Sequence, residues 1–251
     1  MSNNFKLSVI TINCNNSNGL YKTVESVYNQ RYRHLIQHIL IDCGSLEKQD
    51  LRELNKRFDI LISESDKGIS DAFNKGLDQC IGDYIVILNS GDCWYQNTSE
   101  ILLEYLNKGY DSLFFNVNIH RGNRIQSYKA DLEKIFNKVS VIHCGAILNR
   151  QVVKRCGYYS LNFKLAMDYD YLLRFTSQSK NNISINRTIA IMEDGGISSE
   201  EIFRAKFEVF KIQKRYNHLY AYKEFLYSTL KGFRDFRQEL QDLTQSSYKC
   251  H

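Results

Sequence analysis

The sequence predicts an α/β protein built on a mostly parallel central sheet with helices on both faces. Three observations carry this. Over the first 90 residues, short β-branched runs alternate with helix-length segments of amphipathic spacing. The run Tyr84–Leu88 is apolar at every position, as expected of a strand covered on both faces. It stops at a polar tip, Asn89-Ser90-Gly91-Asp92. In an open parallel sheet, ligands and metals are held at the C-terminal ends of strands, so this tip is the first place to look for chemistry.

The elements follow in order. Leu7–Ile12 reads as a strand and Asn13–Gly19 as a polar turn. A helix over Leu20–Gln30 presents Leu20, Val24, Val27 and Tyr28 inward. Ile36–Ile41 is the second strand, and a helix near Leu46–Arg57 leads to a short strand at Ile60–Ile62. Residues 69–80 repeat apolar positions at helical spacing through Ile69, Ala72, Phe73, Gly76, Leu77 and Cys80, leaving Asp71, Asn74, Lys75 and Asp78 on the other face. Beyond Asp92 the alternation loosens: a helix over 99–107, a strand over 112–119 with a turn at Arg121–Arg124, a strand at Ala146–Leu148, a helix over 168–177 and a strand over 183–191. A long helical pattern then runs from Glu200 to about residue 243.

Composition narrows the function classes. The 251 residues are 43% apolar and 24% charged, the balance of an ordinary globular protein. No apolar window reaches membrane-spanning length, and the N-terminus lacks the regions of a secretory leader. Seven scattered cysteines without metal-ligand spacing point to reduced thiols in the cytoplasm, and His34 with His38 reads as a solvated pair. Residues 202–251 hold 10 Lys/Arg against 5 Asp/Glu, whereas the rest is balanced at 23 each. A neutral body with a basic tail argues against a nucleic-acid binder. The first turn has one glycine, so it lacks the Gly-x-Gly-x-x-Gly of a dinucleotide fold, and no P-loop is present.

Together, four segments resemble the inverting family 2 glycosyltransferases of GT-A fold, over roughly residues 5–200. Ser8-Val-Ile-Thr11 is similar to the family's opening strand and Ile39-Leu-Ile-Asp42-Cys-Gly-Ser45 to its base-facing motif. Ser65-Asp66-Lys67-Gly-Ile-Ser-Asp71-Ala-Phe-Asn74-Lys75-Gly resembles the nucleotide-facing segment, and Ile87-Leu-Asn89-Ser90-Gly91-Asp92 the metal and diphosphate motif. Further on, Ala166-Met-Asp168-Tyr-Asp170 resembles the start of the catalytic helix, and Gly195-Gly196-Ile-Ser198 the segment that closes over the donor. Asn89 and Gly91 stand where the family often has acids.

The resemblance implies a catalytic domain over 1–199, with a nucleotide-sugar half to about 95 and an acceptor half over 96–199, followed by a basic, aromatic helical extension over 200–251. It implies a nucleotide-sugar donor, a UDP-sugar, and a Mg2+ or Mn2+ ion held by Asp92. Such a cation and fixed donors stabilise charge on the departing diphosphate. Asp168 is the implied base that takes the acceptor's proton. Thr11, Asp42, Asp66, Lys67, Asp71, Asn74, Lys75, Asn89, Ser90 and Gly91 are implied nucleotide contacts. Trp94, His143, Asp170, Gly195, Gly196 and Ser198 are implied acceptor or donor contacts.

The residue types alone leave alternatives open. Asp92 and Asp168 can serve as turn or helix caps, Asp42 as a turn former, His143 as a packed histidine and Trp94 as core. Asp170 is expected to pair with Arg174, four residues on. A non-catalytic nucleotide- or glycan-binding module is the rival reading. The aromatic stripe of the tail, from Phe203 to Leu240, suits the cytoplasmic face of the inner membrane, a dimer seam or the protein's own core. A lipid-linked polysaccharide acceptor fits the first of these.

Overall fold

The computed structural model describes residues 5–122, 124–193, 201–216 and 225–226. The parallel half of the sheet comprises β1 (Leu7–Asn13), β2 (Ile36–Asp42), β3 (Ile60–Ser63) and β4 (Tyr84–Ile87), in the order β3-β2-β1-β4. The crossovers are α1 (Ser17–Tyr28), α2 (Lys48–Leu54) and α3 (Ile69–Asp78). β5 (Cys93–Trp94) and α4 (Thr98–Leu106) follow. The second half is mixed. β8 (Ala146–Asn149) runs antiparallel to β4 and to β6 (Ser112–Arg121). β6 forms a hairpin with β7 (Arg124–Tyr128) and pairs in parallel with β9 (Asn182–Glu193), which pairs with β5. Among the described residues α5 (Arg150–Cys156), α6 (Met167–Gln178) and α7 (Ile202–Lys214) follow.

Burial explains why the strands lie in this order. Every residue of β2 and β4 is buried, the signature of strands with helices on both faces. One apolar cluster joins Ile10, Ile39, Ile41, Phe73 and Ile87 to Phe114, Tyr171, Leu172 and Phe175, so the sheet's two halves share a continuous core. Gly76 lets α3 approach β1: a Cβ there would stand 2.5 Å from Ile10 Cγ2.

Several expectations need correction. Tyr28 is 43% exposed and lies under the Arg57 guanidinium instead of facing inward. His38 is fully buried within β2, where desolvation holds its pKa well below the usual imidazole value. The His34–His38 pair therefore shares no solvated helix face. Cys14 and Cys43, expected as free thiols, form a disulfide that joins the loops after β1 and β2. α5 and β5 escaped the sequence reading: a seven-residue helix and a two-residue strand are too short for periodicity to register. Among the described residues no helix is long and apolar enough to cross a membrane. The first helix of the expected 200–251 extension, α7, packs on α6 and places Ile212 in the shared core. Much of the expected aromatic stripe, including Leu219, Tyr222, Phe233, Phe236 and Leu240, lies outside the described residues.

Adding the missing methyl at Gly76 should overpack the α3–β1 contact. Gly76→Ala is expected to lower unfolding free energy by about 1–3 kcal/mol, measured by denaturant titration. An unchanged midpoint would mean that α3 does not rest on Ile10.

Candidate active site

The C-terminal ends of β1, β2 and β4 are hydrogen-bonded to one another, and the β4 tip meets the turn that enters β8. The β4 tip turns sharply at Gly91, whose φ of 105° lies in the region that glycine alone adopts at little cost. Thr23 on α1 organises this turn. Its hydroxyl receives the Gly91 N–H at 3.0 Å and reaches the carbonyl of Asp92 at 2.8 Å. Asn13 at the end of β1 receives the Ser90 hydroxyl at 2.9 Å and donates to Asp42 at 2.8 Å. Sequence reasoning singled out neither Thr23 nor Asn13, because a helical Thr and a turn Asn carry no motif of their own.

The turn delivers Asp92, which is only 5% exposed, to His143. His143 lies in the short 3-10 turn His143–Gly145 that enters β8. Its Nε2 is 3.2 Å from Asp92 Oδ2, and its Nδ1 is 3.7 Å from Asp168 Oδ2. Two carboxylates far apart along the chain thus stand on opposite sides of one imidazole. Burial alone would lower the His143 pKa, but Asp168 and Asp92 outweigh it and push the value up to about 10. The ring is therefore an imidazolium at neutral pH. Asn89 Nδ2 also lies 3.1 Å from Nε2. Because a charged ring offers a proton at Nε2, an amide turned to present its oxygen satisfies that contact better.

Asp168 opens α6 and remains one-third exposed, with Oδ1 accepting the Tyr169 N–H at 2.8 Å. Asp170 is different. It is 1% exposed and paired with Arg174 at 2.9 Å, as the four-residue spacing predicts, and with Arg215 at 3.3 Å. It serves the packing of α6 and does not face the cleft as a ligand contact.

The implied nucleotide contacts divide. Thr11 is fully buried, its hydroxyl 3.0 Å from His38 Nε2. Asp42 is likewise sealed, taking the N–H groups of Gly44, Ser45 and Leu46 and the side chains of Asn13, Ser45 and Ser63. Burial works to raise its pKa, but those hydrogen bonds prevail and hold it below the usual carboxylate value. It has no lone pair left for a base, so it is the turn former of the loop. Asn74 is engaged at both ends by the Tyr159 backbone, at 2.7 and 3.0 Å. Trp94 is 4% exposed and packs within an apolar cluster.

Asp66, Asp71 and Lys75 shape the loop before α3. Asp66 receives the Gly68 N–H, Asp71 receives the Lys67 N–H, and Lys75 holds Ser65 O and Glu64. Lys67 itself is exposed. Gly195, Gly196 and Ser198 lie outside the described residues.

The donor set at the β4 tip suits a hard divalent cation. Among the described residues, only His143 bonds the Asp92 carboxylate, so its remaining oxygen lone pairs would be open to an ion that also takes phosphate oxygens and water. Cys144 lies within ligand range of the same pair, but burial holds its thiol well above the usual pKa. A neutral thiol is a poor ligand for Mg2+ or Mn2+.

A curled sheet, parallel on one side and mixed on the other, with a carboxylate at a strand tip and another opening a helix across one cleft, defines a nucleotide-sugar transferase of GT-A type. Residues 8–169 match the family described as Glycosyl transferase family 2, and the chain belongs to it. An uncharacterised glycosyltransferase of Mycobacterium tuberculosis is 30% identical over 177 residues, covering 67% of this chain and 68% of its own length. A putative teichuronic acid biosynthesis glycosyltransferase of Bacillus subtilis, TuaG, is 30% identical over 104 residues, 40% of this chain and 41% of the relative. Among solved structures, S. aureus TarS 1–349 in complex with UDP-GlcNAc superposes with a TM-score of 0.65 at 14% identity, covering 83% of this chain and 66% of that one. Against the longer TarS chain the coverage falls to 39% of that protein. A Pyrobaculum calidifontis mannosyltransferase in complex with GDP-Man and Mn2+ matches at a TM-score of 0.65 and 17% identity, over 86% of this chain and 66% of that one. At such identities the structural likeness speaks for the fold.

The sealed state of Asp42 has a measurable consequence. Asp42→Ala should cost about 2–4 kcal/mol in unfolding free energy by leaving several buried donors unpaired. Because the folded-state pKa is depressed, Asp42's contribution is present above the unfolded value near 3.9 and is lost as pH falls through the folded one. The wild type should therefore lose more stability than the variant on acidification below pH 4. Parallel pH profiles would contradict this.

Proposed function

We propose that this glycosyltransferase moves one sugar, with inversion, from a UDP-sugar to a hydroxyl of a growing or lipid-linked surface polysaccharide. The convergence of Asp92 and Asp168 on His143 carries the proposal, because it supplies separate carboxylates for the leaving group and for the acceptor. The names of the relatives support the setting: one is tied to teichuronic acid biosynthesis and others to PGL/p-HBAD biosynthesis. The fold neighbours bound to UDP-GlcNAc and to GDP-Man support the donor class.

In this mechanism Asp168 accepts the proton of the acceptor hydroxyl as that oxygen attacks the anomeric carbon. The bond from that carbon to the diphosphate oxygen breaks on the opposite face, so configuration inverts in one displacement. Asp92 would hold the divalent cation, which when bound neutralises charge on the diphosphate. Gly91 and Ser90 form the tight turn on which the diphosphate would rest. His143 keeps the two carboxylates apart and oriented. The acceptor enters on the Asp168 side.

The test combines a binding panel with two variants. Asp168→Asn should lower UDP release from UDP-sugars, UDP-GlcNAc among them, about 10²–10⁴-fold, while the thermal shift given by UDP persists. Asp92→Ala should abolish the extra thermal shift that Mn2+ adds to UDP. Full turnover in Asp168→Asn would remove the base from this account. Absence of any nucleotide-induced shift in the wild type would favour a glycan-binding module.

A further inference from the structure

The base-bearing helix has an unusual anchor. At its N-terminus, the cap position Ala166 provides no side-chain cap. The backbone entering α6 is held instead from outside, by the only acid in the basic helix α7. Glu208 accepts the N–H of Lys164 at 3.1 Å, of Leu165 at 2.8 Å and of Ala166 at 2.9 Å. Three successive backbone donors thus close on one carboxylate, two residues ahead of Asp168. Unpaired amides at a helix entry would otherwise turn to water, leaving the first turn free to shift. A carboxylate there is also favoured by the helix dipole.

The grip continues toward the C-terminal end of α7. Gln213 donates to Asn137 O at 2.6 Å and lies 3.4 Å from the Tyr169 hydroxyl. Arg215, just past the helix, reaches Asp170 at 3.3 Å. Ile212 is fully buried between them. The residues on both sides of Asp168 are therefore tied to α7, whereas the only side-chain group within ion-pair range of the Asp168 carboxylate among the described residues is His143.

We propose that Glu208 is a positioning residue for transfer: it fixes the backbone that presents Asp168, making α7 part of the catalytic apparatus. This rests on Asp168 being the base. A displacement on the order of 1 Å at a reacting group can cost about 100-fold in rate, so loosening this entry should act on turnover. It should not act on donor affinity, because Glu208 touches nothing at the tips of β1, β2 or β4.

The experiment uses the full chain with Glu208→Ala and Glu208→Gln. Gln keeps one acceptor oxygen at the same place. The readouts are hydrogen–deuterium exchange, the Kd for UDP with Mn2+, and kcat and KM for UDP release from the UDP-sugar that the wild type turns over. The expected result is faster exchange confined to residues 164–170 and a kcat lower by about tenfold or more in the Ala variant. Partial recovery is expected in the Gln variant, with Kd for UDP unchanged in both. Unaltered kcat, or exchange rising equally through β1–β4, would overturn the proposal. So would a kcat loss matched by an equal loss of UDP affinity, or failure of both variants to fold. If Asp168→Asn is inactive while the Glu208 variants keep full kcat, only this inference fails. If Asp168→Asn is fully active, the base reading fails first.

Discussion

One imidazole holds the candidate site together. His143 reaches Asp92 with one ring nitrogen and Asp168 with the other, so the strand tip of the parallel half and the helix start of the mixed half are joined by a single planar group. Without it, a buried carboxylate and a partly exposed one would face each other with no positive group between them. With it, both carboxylates are fixed in direction by the two nitrogens of one ring, the geometry that the proposed transfer uses at the two ends of its substrate. The tight turn at Gly91, the Thr23 hydroxyl beneath it and the external anchor of α6 all serve to bring the three groups into register.

The sheet's two-part construction explains why the site lies where it does. The parallel half ends its strands in loops that are rigid by internal bonding, with Asp42 and Asn13 as their knots and the Cys14–Cys43 disulfide joining them. The mixed half brings β8 antiparallel to β4, so the turn that enters β8 arrives beside the tip of β4. His143 lies in that turn. The meeting of His143 and Asp92 therefore follows from a change of strand direction: a parallel strand at that position would begin at the opposite end of the sheet and carry its leading turn away from Asp92.

The parallel half was legible in the sequence because its elements are long, periodic and sequential: β1, β2, β4 and α3 lie within a residue or two of their expected limits. The Asp170–Arg174 pair was legible from helical spacing, and the order of the motifs pointed to Asp92 and Asp168, which the fold brings to either side of His143. What was hidden depends on contacts between distant segments. Nothing local shows that Asp42 would be enclosed by six donors, that Asn74 would hold the Tyr159 backbone, or that His143 would bridge two acids. The cysteines misled for a related reason: Cys14 and Cys43 are brought together only by the parallel register of β1 and β2, which pairs Asn13 with Asp42 one residue earlier. The aromatic stripe of the tail is compatible with three partners on sequence alone, and its first helix completes the core beneath α6.

The claim most open to direct trial is that a cation at the β4 tip sits beside His143, with Asp168 on the ring's far side. Paramagnetic broadening by Mn2+ in the presence of UDP, followed on the histidine ring protons, measures this. The account predicts that the His143 signals vanish first, while those of His34, at the opposite end of β2, survive to much higher Mn2+. Equal broadening of both, or a His143 signal untouched at saturating UDP, would contradict it.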